Sequence, residues 1–301
     1  MRKVRGRSLR VEPMETAPSV DTIGVPVDCY RSSLYTADEL YDAPSHADSL
    51  DQRAHAWALQ APTPRDSLAQ ALHDHAVDEA LTRWLADRSL VGVMGGHALE
   101  RGQPAYADAA RLGALLGRSH TVATGGGPGA MEAANLGGRL AHRPAAALTE
   151  ALERLAAVPS YHPSVDAWVA AARPVALLAD SPTLGIPTWF YGHEPSNVFA
   201  TAIAKYFRNA LREAILLQIC DAGIVFLPGA AGTVQEVFQD ACENYYAAEK
   251  SVAPMVLVGR SYWTTVVPVW PLLQSLARGR PMESHVHLVD SIDEAADLVG
   301  R

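Results

Sequence analysis

Three times along this chain a short apolar run ends in a cluster of small residues and passes straight into a helical pattern. Leu90–Met94 runs into Gly95-Gly96, Thr121–Ala123 into Gly125-Gly126-Gly127, and Ile224–Leu227 into Pro228-Gly229-Ala230-Ala231-Gly232. The helical stretches that follow run from about Ala105 to Leu116, from about Gly129, and from Thr233. Strands that are apolar along their whole length are buried on both faces, and strands alternating with helices imply a parallel sheet covered on both sides. Further buried strands are expected at Val175–Leu178 and Met255–Val258, with a last one near His287–Val289. About six strands are too few for an eight-stranded barrel. The fold class that follows is α/β: a doubly wound, mostly parallel, Rossmann-like sheet with helices on both faces. Such sheets bind ligands beyond the carboxyl ends of their strands, where all three small-residue turns sit.

At 301 residues with 49% hydrophobic and 19% charged content, the chain has enough apolar material for a proper core, which excludes disorder throughout. Residues 1–65 carry scattered Pro, Ser and Asp without a sustained period and read as an irregular lead-in, some of it packed on the body. Residues 66–301 read as one nucleotide-binding domain. It opens with a helix of about five turns, marked by Leu68, Leu72, Ala76, Ala80 and Trp84, with Asp66 or Ser67 placed to cap. Helix is also expected over Arg139–Ala157 and from about Val198 to Ile219. No apolar run approaches the roughly 18 to 20 residues that span a bilayer, so no membrane partner is expected. The net charge of -8 argues against nucleic acid as a partner and leaves a small molecule. The Arg-rich start is not followed by an apolar h-region, which points to the cytoplasm. Cys29, Cys220 and Cys242 are far apart, and His73 and His75 point to different sides of a helix, so no metal site is expected. The lysines are Lys3, Lys205 and Lys250, few candidates for Schiff-base chemistry, and no cofactor is expected.

Chemistry concentrates in three places. Leu227–Glu236 joins a strand to an amphipathic helix through small residues, a geometry in which free amides and the helix dipole bind an anion such as phosphate. It lacks the Gly-Lys-Ser/Thr ending of the nucleoside triphosphatase loop. Thr233-x-x-Glu236 also has the spacing of a capping box, which offers Glu236 a purely structural role. In Thr124–Met131, Gly125, Gly127 and Ala130 satisfy a dinucleotide fingerprint, but the acidic residue at the required distance, Glu150, lies within a helical stretch. In the helix expected from Val198, Lys205, Arg208, Asn209 and Arg212 share a polar face that reads equally as a solvated surface.

Taken in order, Gly95-Gly96, Gln103–Tyr106, Leu112-Gly113, the Gly-Gly-Gly-Pro-Gly-Ala-Met of 125–131, Arg212, and the Pro-Gly-Ala-Ala-Gly-Thr-x-x-Glu of 228–236 resemble the LONELY GUY (LOG) family, over roughly Leu90 to Val258. These are Rossmann-like proteins historically mislabelled lysine decarboxylases. The resemblance implies a nucleoside 5'-monophosphate phosphoribohydrolase, an N-glycosidase releasing free base and ribose 5-phosphate, with a non-catalytic nucleotide sensor as the alternative. It assigns catalysis to Arg212 and Glu236, and substrate binding to Glu194, Glu213, Gly126, Gly127, Gly229, Ala230, Ala231, Gly232 and Thr233. It also implies a homodimer or larger homo-oligomer. The chain departs from the family pattern at Ala230, where a glycine is usual, and at Glu213, where a lysine is usual. An extra residue lies between Asp221 and Pro228, and the stretch Arg139–Asn197 is longer than in the short cytokinin-activating members, which marks a larger subfamily.

Overall fold

Each apolar run between glycine turns becomes a strand of one parallel sheet in the computed structural model, which describes residues 24–179, 181–190 and 194–299. In chain order the elements are α1 (Ala37–Leu40), α2 (Leu50–Ala58), α3 (Pro64–Leu85), β1 (Leu90–Met94), α4 (Pro104–Leu116), β2 (Thr121–Thr124), α5 (Ala130–Leu140), α6 (Ala145–Leu155), α7 (Val165–Ala176), β3 (Thr183–Gly185), β4 (Ala202–Ile203), α8 (Asn209–Gln218), β5 (Gly223–Phe226), α9 (Ala231–Tyr246), β6 (Met255–Val258), α10 (Trp270–Ala277), β7 (Val286–Val289) and α11 (Ile292–Leu298). The sheet order is β4-β3-β2-β1-β5-β6-β7 and every neighbouring pair is parallel. β1 lies at the centre, with Gly92 beside Ala123 on one side and Ile224 on the other.

Side chains alternate across the strands and divide the interior into two cores. Leu90 and Met94 of β1 join Ile224, Phe226 and Leu257 against α3, α8, α9 and α10. Val91 and Val93 join Val225 and Val256 against α4, α5 and α11. Buried on both faces, the strands need no polar positions, which is why they appear in the sequence as unbroken apolar runs.

The structure departs from the sequence reading in several places. Seven strands form among the described residues rather than about six. Val175–Leu178 is no strand: Val175 and Ala176 end α7, where they continue a buried stripe with Trp168, Val169 and Ala172. A short apolar run has the same composition in either element. The helix expected from Val198 begins only at Asn209, and β4 occupies part of that span. The stretch Arg139–Ala157 is broken at 141–144, between α5 and α6. The first long helix starts at Pro64, with Thr63 rather than Asp66 or Ser67 as N-cap; Thr63 and Asp66 form a capping box. Residues 36–58, read as irregular, carry α1 and α2.

That early segment holds the loop before β4 and α8 in place. Lys205, assigned to an exposed polar face by periodicity, is 1% exposed, and its Nζ donates to Asp51 Oδ1 of α2 at 2.6 Å and to Ser196 Oγ at 2.9 Å. Trp189 Nε1 donates to the same Asp51 oxygen at 2.9 Å, and the Trp189 ring stacks on Phe207 with centroids 4.5 Å apart. Tyr41 donates its hydroxyl to the Ser196 carbonyl. Burial alone would raise the Asp51 carboxyl, but Lys205, aided by His46, draws it down to about 2. Removing one member of such a pair leaves a buried charge without its partner, whereas removing both does not. Asp51→Ala is therefore expected to lower unfolding free energy by about 3–5 kcal/mol in urea melts, and Asp51→Leu combined with Lys205→Met to recover most of that loss.

Candidate functional site

The strand order reverses at β1. β2, β3 and β4 lie to one side and β5, β6 and β7 to the other, so the chains leaving β1 and β5 diverge and open a crevice at the carboxyl edge. The small-residue turns meet there. Gly96 donates its amide to the Pro228 carbonyl at 3.2 Å and accepts at its own carbonyl from the Ala130 amide at 3.0 Å. Gly129 caps α5 with φ of +72°, and a side chain there would run into the Gly96 carbonyl, so glycine is required twice over. A cavity of about 920 Å³ occupies the crevice, within the range of small-molecule sites. Its wall includes Gly95, Gly96, Gly127, Glu194, Arg212, Glu213, the run Gly229–Thr233, and Glu236.

The capping-box reading of Glu236 is decided by where the helix begins. α9 starts at Ala231 with Ala230 as N-cap and has no side-chain cap, so Thr233 lies inside the first turn and Glu236 in the second. The amides of Ala231, Gly232 and Thr233 precede the first backbone bond of the helix, from Val234 to the Ala230 carbonyl at 3.1 Å, and they border the cavity. Gly229 passes so close to Thr233 that a Cβ at 229 would fall 2.1 Å from the threonine oxygen. Main chain alone therefore forms this edge of the site. Its free amides and the helix dipole make it suited to an anion.

Glu236 and Arg212 face each other across the floor, Oε1 to Nη1 at 3.8 Å, with side chains 14% and 12% exposed. The Arg212 Nε is buried and has no hydrogen-bond partner among the described residues. Burial pushes the Glu236 carboxyl up, Arg212 pulls it back, and Glu213 and Glu194 push it up again, leaving it at about 7. Arg212 therefore does not belong to a solvated face: α8 turns it inward while Leu211 beside it is exposed.

The remaining predicted residues divide. Glu194 reaches the opposite wall, where Oε1 lies 3.2 Å from His97 Nδ1. Gly127 lies beside it. Glu213 borders the cavity but also joins two helices, accepting from Asn209 Nδ2 at 2.8 Å and from the Gln235 side chain of α9. Gly126 is not part of the wall: its amide donates to Thr124 Oγ1 and its carbonyl accepts from Asn197, facing β3 rather than the crevice. Sequence reasoning missed His97, which directly follows the first glycine turn. It also missed Tyr262, whose hydroxyl donates to the Gly229 carbonyl at 2.9 Å from the segment after β6. The Gly259 that follows β6 was the available signal for that fourth turn. Among the described residues no group of three or more His, Cys, Asp or Glu is placed to hold a metal ion, and no helix is long and apolar enough to cross a membrane.

No protein-family model matches the chain, and no curated protein matches it in sequence. Among solved structures it is similar to the molybdenum cofactor binding protein of Rippkaea orientalis, at 18% identity and a TM-score of 0.43, covering 70% of this chain and 94% of that one. It is also similar to the Moco carrier protein of Chlamydomonas reinhardtii, at 18% identity, a TM-score of 0.42 and the same coverage. A third similar structure is that of TM1055, at 16% identity and a TM-score of 0.45, covering 70% of this chain and 97% of that one. At such low identity and overlap these likenesses carry no statement about ligand or chemistry.

A carboxyl that titrates near 7 when folded and at its ordinary 4.5 when unfolded binds a proton on folding between those values. Glu236 therefore lowers stability progressively as pH rises from 4.5 through 7, and the full cost, roughly 3 kcal/mol, persists above that. Glu236→Gln, which mimics the protonated form, is expected to raise the melting temperature at pH 8 and to change it little at pH 4.5.

Proposed function

We propose that the cavity hydrolyses the N-glycosidic bond of a nucleoside 5'-monophosphate, giving free base and ribose 5-phosphate. The observation that carries this reading is Glu236: a carboxylate released from any capping role, buried opposite Arg212, one turn beyond an uncapped helix N-terminus. The order and spacing of motifs that resemble the LOG family support the same reading.

In this reading the 5'-phosphate docks on the amides of Ala231, Gly232 and Thr233, which anchors the ribose over the cavity floor. Loss of the base builds positive charge on the ribose in an oxocarbenium-like transition state, which an ionised Glu236 stabilises. Glu236 also orients the attacking water and takes its proton. The water oxygen bonds to the anomeric carbon, the carbon–nitrogen bond breaks, and the base leaves with its electron pair and takes a proton from solvent, to which Glu236 returns the one it accepted. Arg212 keeps Glu236 partly ionised near neutral pH and assists the departing base. Glu194 and His97 contact the ribose or base at the opposite wall. The setting is cytoplasmic, and the protein works as a homodimer or larger assembly.

Binding without turnover is the second reading, and Glu213 is the observation that favours it. Where the family resemblance expects a lysine, this carboxylate adds to those of Glu194 and Glu236 in the wall and opposes a phosphate dianion.

Purified protein is to be incubated with a panel of nucleoside 5'-monophosphates and matching nucleosides, with base and ribose 5-phosphate followed by chromatography. Release from monophosphates alone, lowered about a hundredfold or more by Glu236→Gln, is the expected result. The rate kcat/KM should rise with pH and level off above about 7, because the active carboxylate must be ionised. Silence across the panel, combined with thermal stabilisation by a nucleotide, would establish the binding reading instead.

A further inference from the structure

The reaction above needs the Arg212 guanidinium held beside Glu236, yet little in the immediate surroundings holds it. Among the described residues its Nε has no hydrogen-bond partner, and its ion pair with Glu236 spans 3.8 Å. Arg212 is therefore placed mainly by the position of α8. That helix is ten residues long, and its N-cap, Arg208, is exposed and provides no side-chain cap.

The residues that lead into α8 are instead held from another helix. Asp74, on α3 and 2% exposed, accepts from the Phe207 amide at Oδ1 and from the Arg208 amide at Oδ2, each at 3.0 Å, across 134 residues of sequence in the second case. One turn later the Arg212 amide donates to the Arg208 carbonyl at 3.2 Å. Behind Asp74 stands a fully buried His73, whose Nδ1 lies 3.1 Å from Asp74 Oδ1 and whose Nε2 lies 2.8 Å from the Tyr35 hydroxyl. A carboxylate at this place must act as acceptor, so Nδ1 carries the proton and Nε2 accepts from Tyr35. Burying a carboxylate is costly, and this one binds the amides of Phe207 and Arg208 rather than the first-turn amides that a serine at position 208 would cap. What the distant carboxylate adds is location: both oxygens bind main chain, which fixes the start of α8 against α3 and so fixes Arg212 one turn further on.

From this geometry we infer that Asp74 is a positioning residue: it holds Arg212 against Glu236 by anchoring the start of α8 to α3. The inference rests on the proposed role of the Arg212–Glu236 pair, but its test does not require turnover. The groups facing Glu236 are Arg212, Glu213 and Glu194, and only Arg212 opposes its protonation.

The experiment is a pH titration of Glu236 by carbon-13 NMR in the full chain labelled on glutamate, with Glu236→Gln identifying the resonance. Asp74→Asn keeps the shape of the side chain and one acceptor oxygen, and is expected to raise the titration midpoint of Glu236 by about one unit as Arg212 moves away. Adding Arg208→Ser gives α8 a side-chain cap without restoring its attachment to α3, so the midpoint should stay raised. In steady-state assays Asp74→Asn should lower kcat by about tenfold to a hundredfold, with KM nearly unchanged. A lowered melting temperature with an unmoved Glu236 midpoint would show that Asp74 only stabilises the fold, and would overturn the inference. Should Asp74→Asn fail to fold, the Asp74→Asn/Arg208→Ser protein is read alone: a raised midpoint supports the inference and a wild-type one overturns it. A wild-type protein with no turnover removes the hydrolase reading while leaving the titration, and hence this inference, open to measurement.

Discussion

Because β1 lies between β2 and β5, the chain leaving one strand turns toward one side of the sheet and the chain leaving the other toward the opposite side. That divergence is what the site depends on. It separates α5 from α9 at their starts and leaves a crevice bounded by main chain, which only small residues can line without filling. The bond between the Gly96 amide and the Pro228 carbonyl then fixes the distance between the two turns. The cavity is thus a consequence of strand order, closed into shape by backbone bonds among the turns.

The two helices that bring Arg212 and Glu236 together end in opposite ways. α8 begins on a buried carboxylate, Asp74, and its dipole is matched within the protein. Among the described residues no side chain caps α9, whose first residues line the cavity. An unmatched helix end costs stability unless water or a ligand satisfies it. The pattern distinguishes a helix used as a strut from one used as a receptor. Glu213, bonded to Asn209 and Gln235, joins the strut to the receptor and sets the spacing between them.

Much of this was legible in the sequence because the strand, the glycine turn and the helix start are adjacent in the chain. β1, β2 and β5 with their turns follow from local pattern alone. β3 and β4 do not, since they are three and two residues long and leave no apolar run to detect. Lys205 shows the opposite failure: helical periodicity placed it on a solvated face, but its partner Asp51 lies 154 residues away. Glu236 lay between the two cases. Spacing allowed a cap or a catalytic group, and the choice turned on the helix starting at Ala231, two residues before the threonine that would have capped it. His97 gave no periodic signal, and its pairing with Glu194 arises only when the first turn and the loop before β4 meet.

In the proposed reading the N-terminus of α9 receives a phosphate and so sets a ribose over Glu236. A crystal structure of the Glu236→Gln protein soaked with a nucleoside 5'-monophosphate tests this. Phosphate oxygens are expected within hydrogen-bond distance of the Ala231, Gly232 and Thr233 amides, with the anomeric carbon beside residue 236. A phosphate bound at the start of α5 instead, or a base lying against α9, would contradict it.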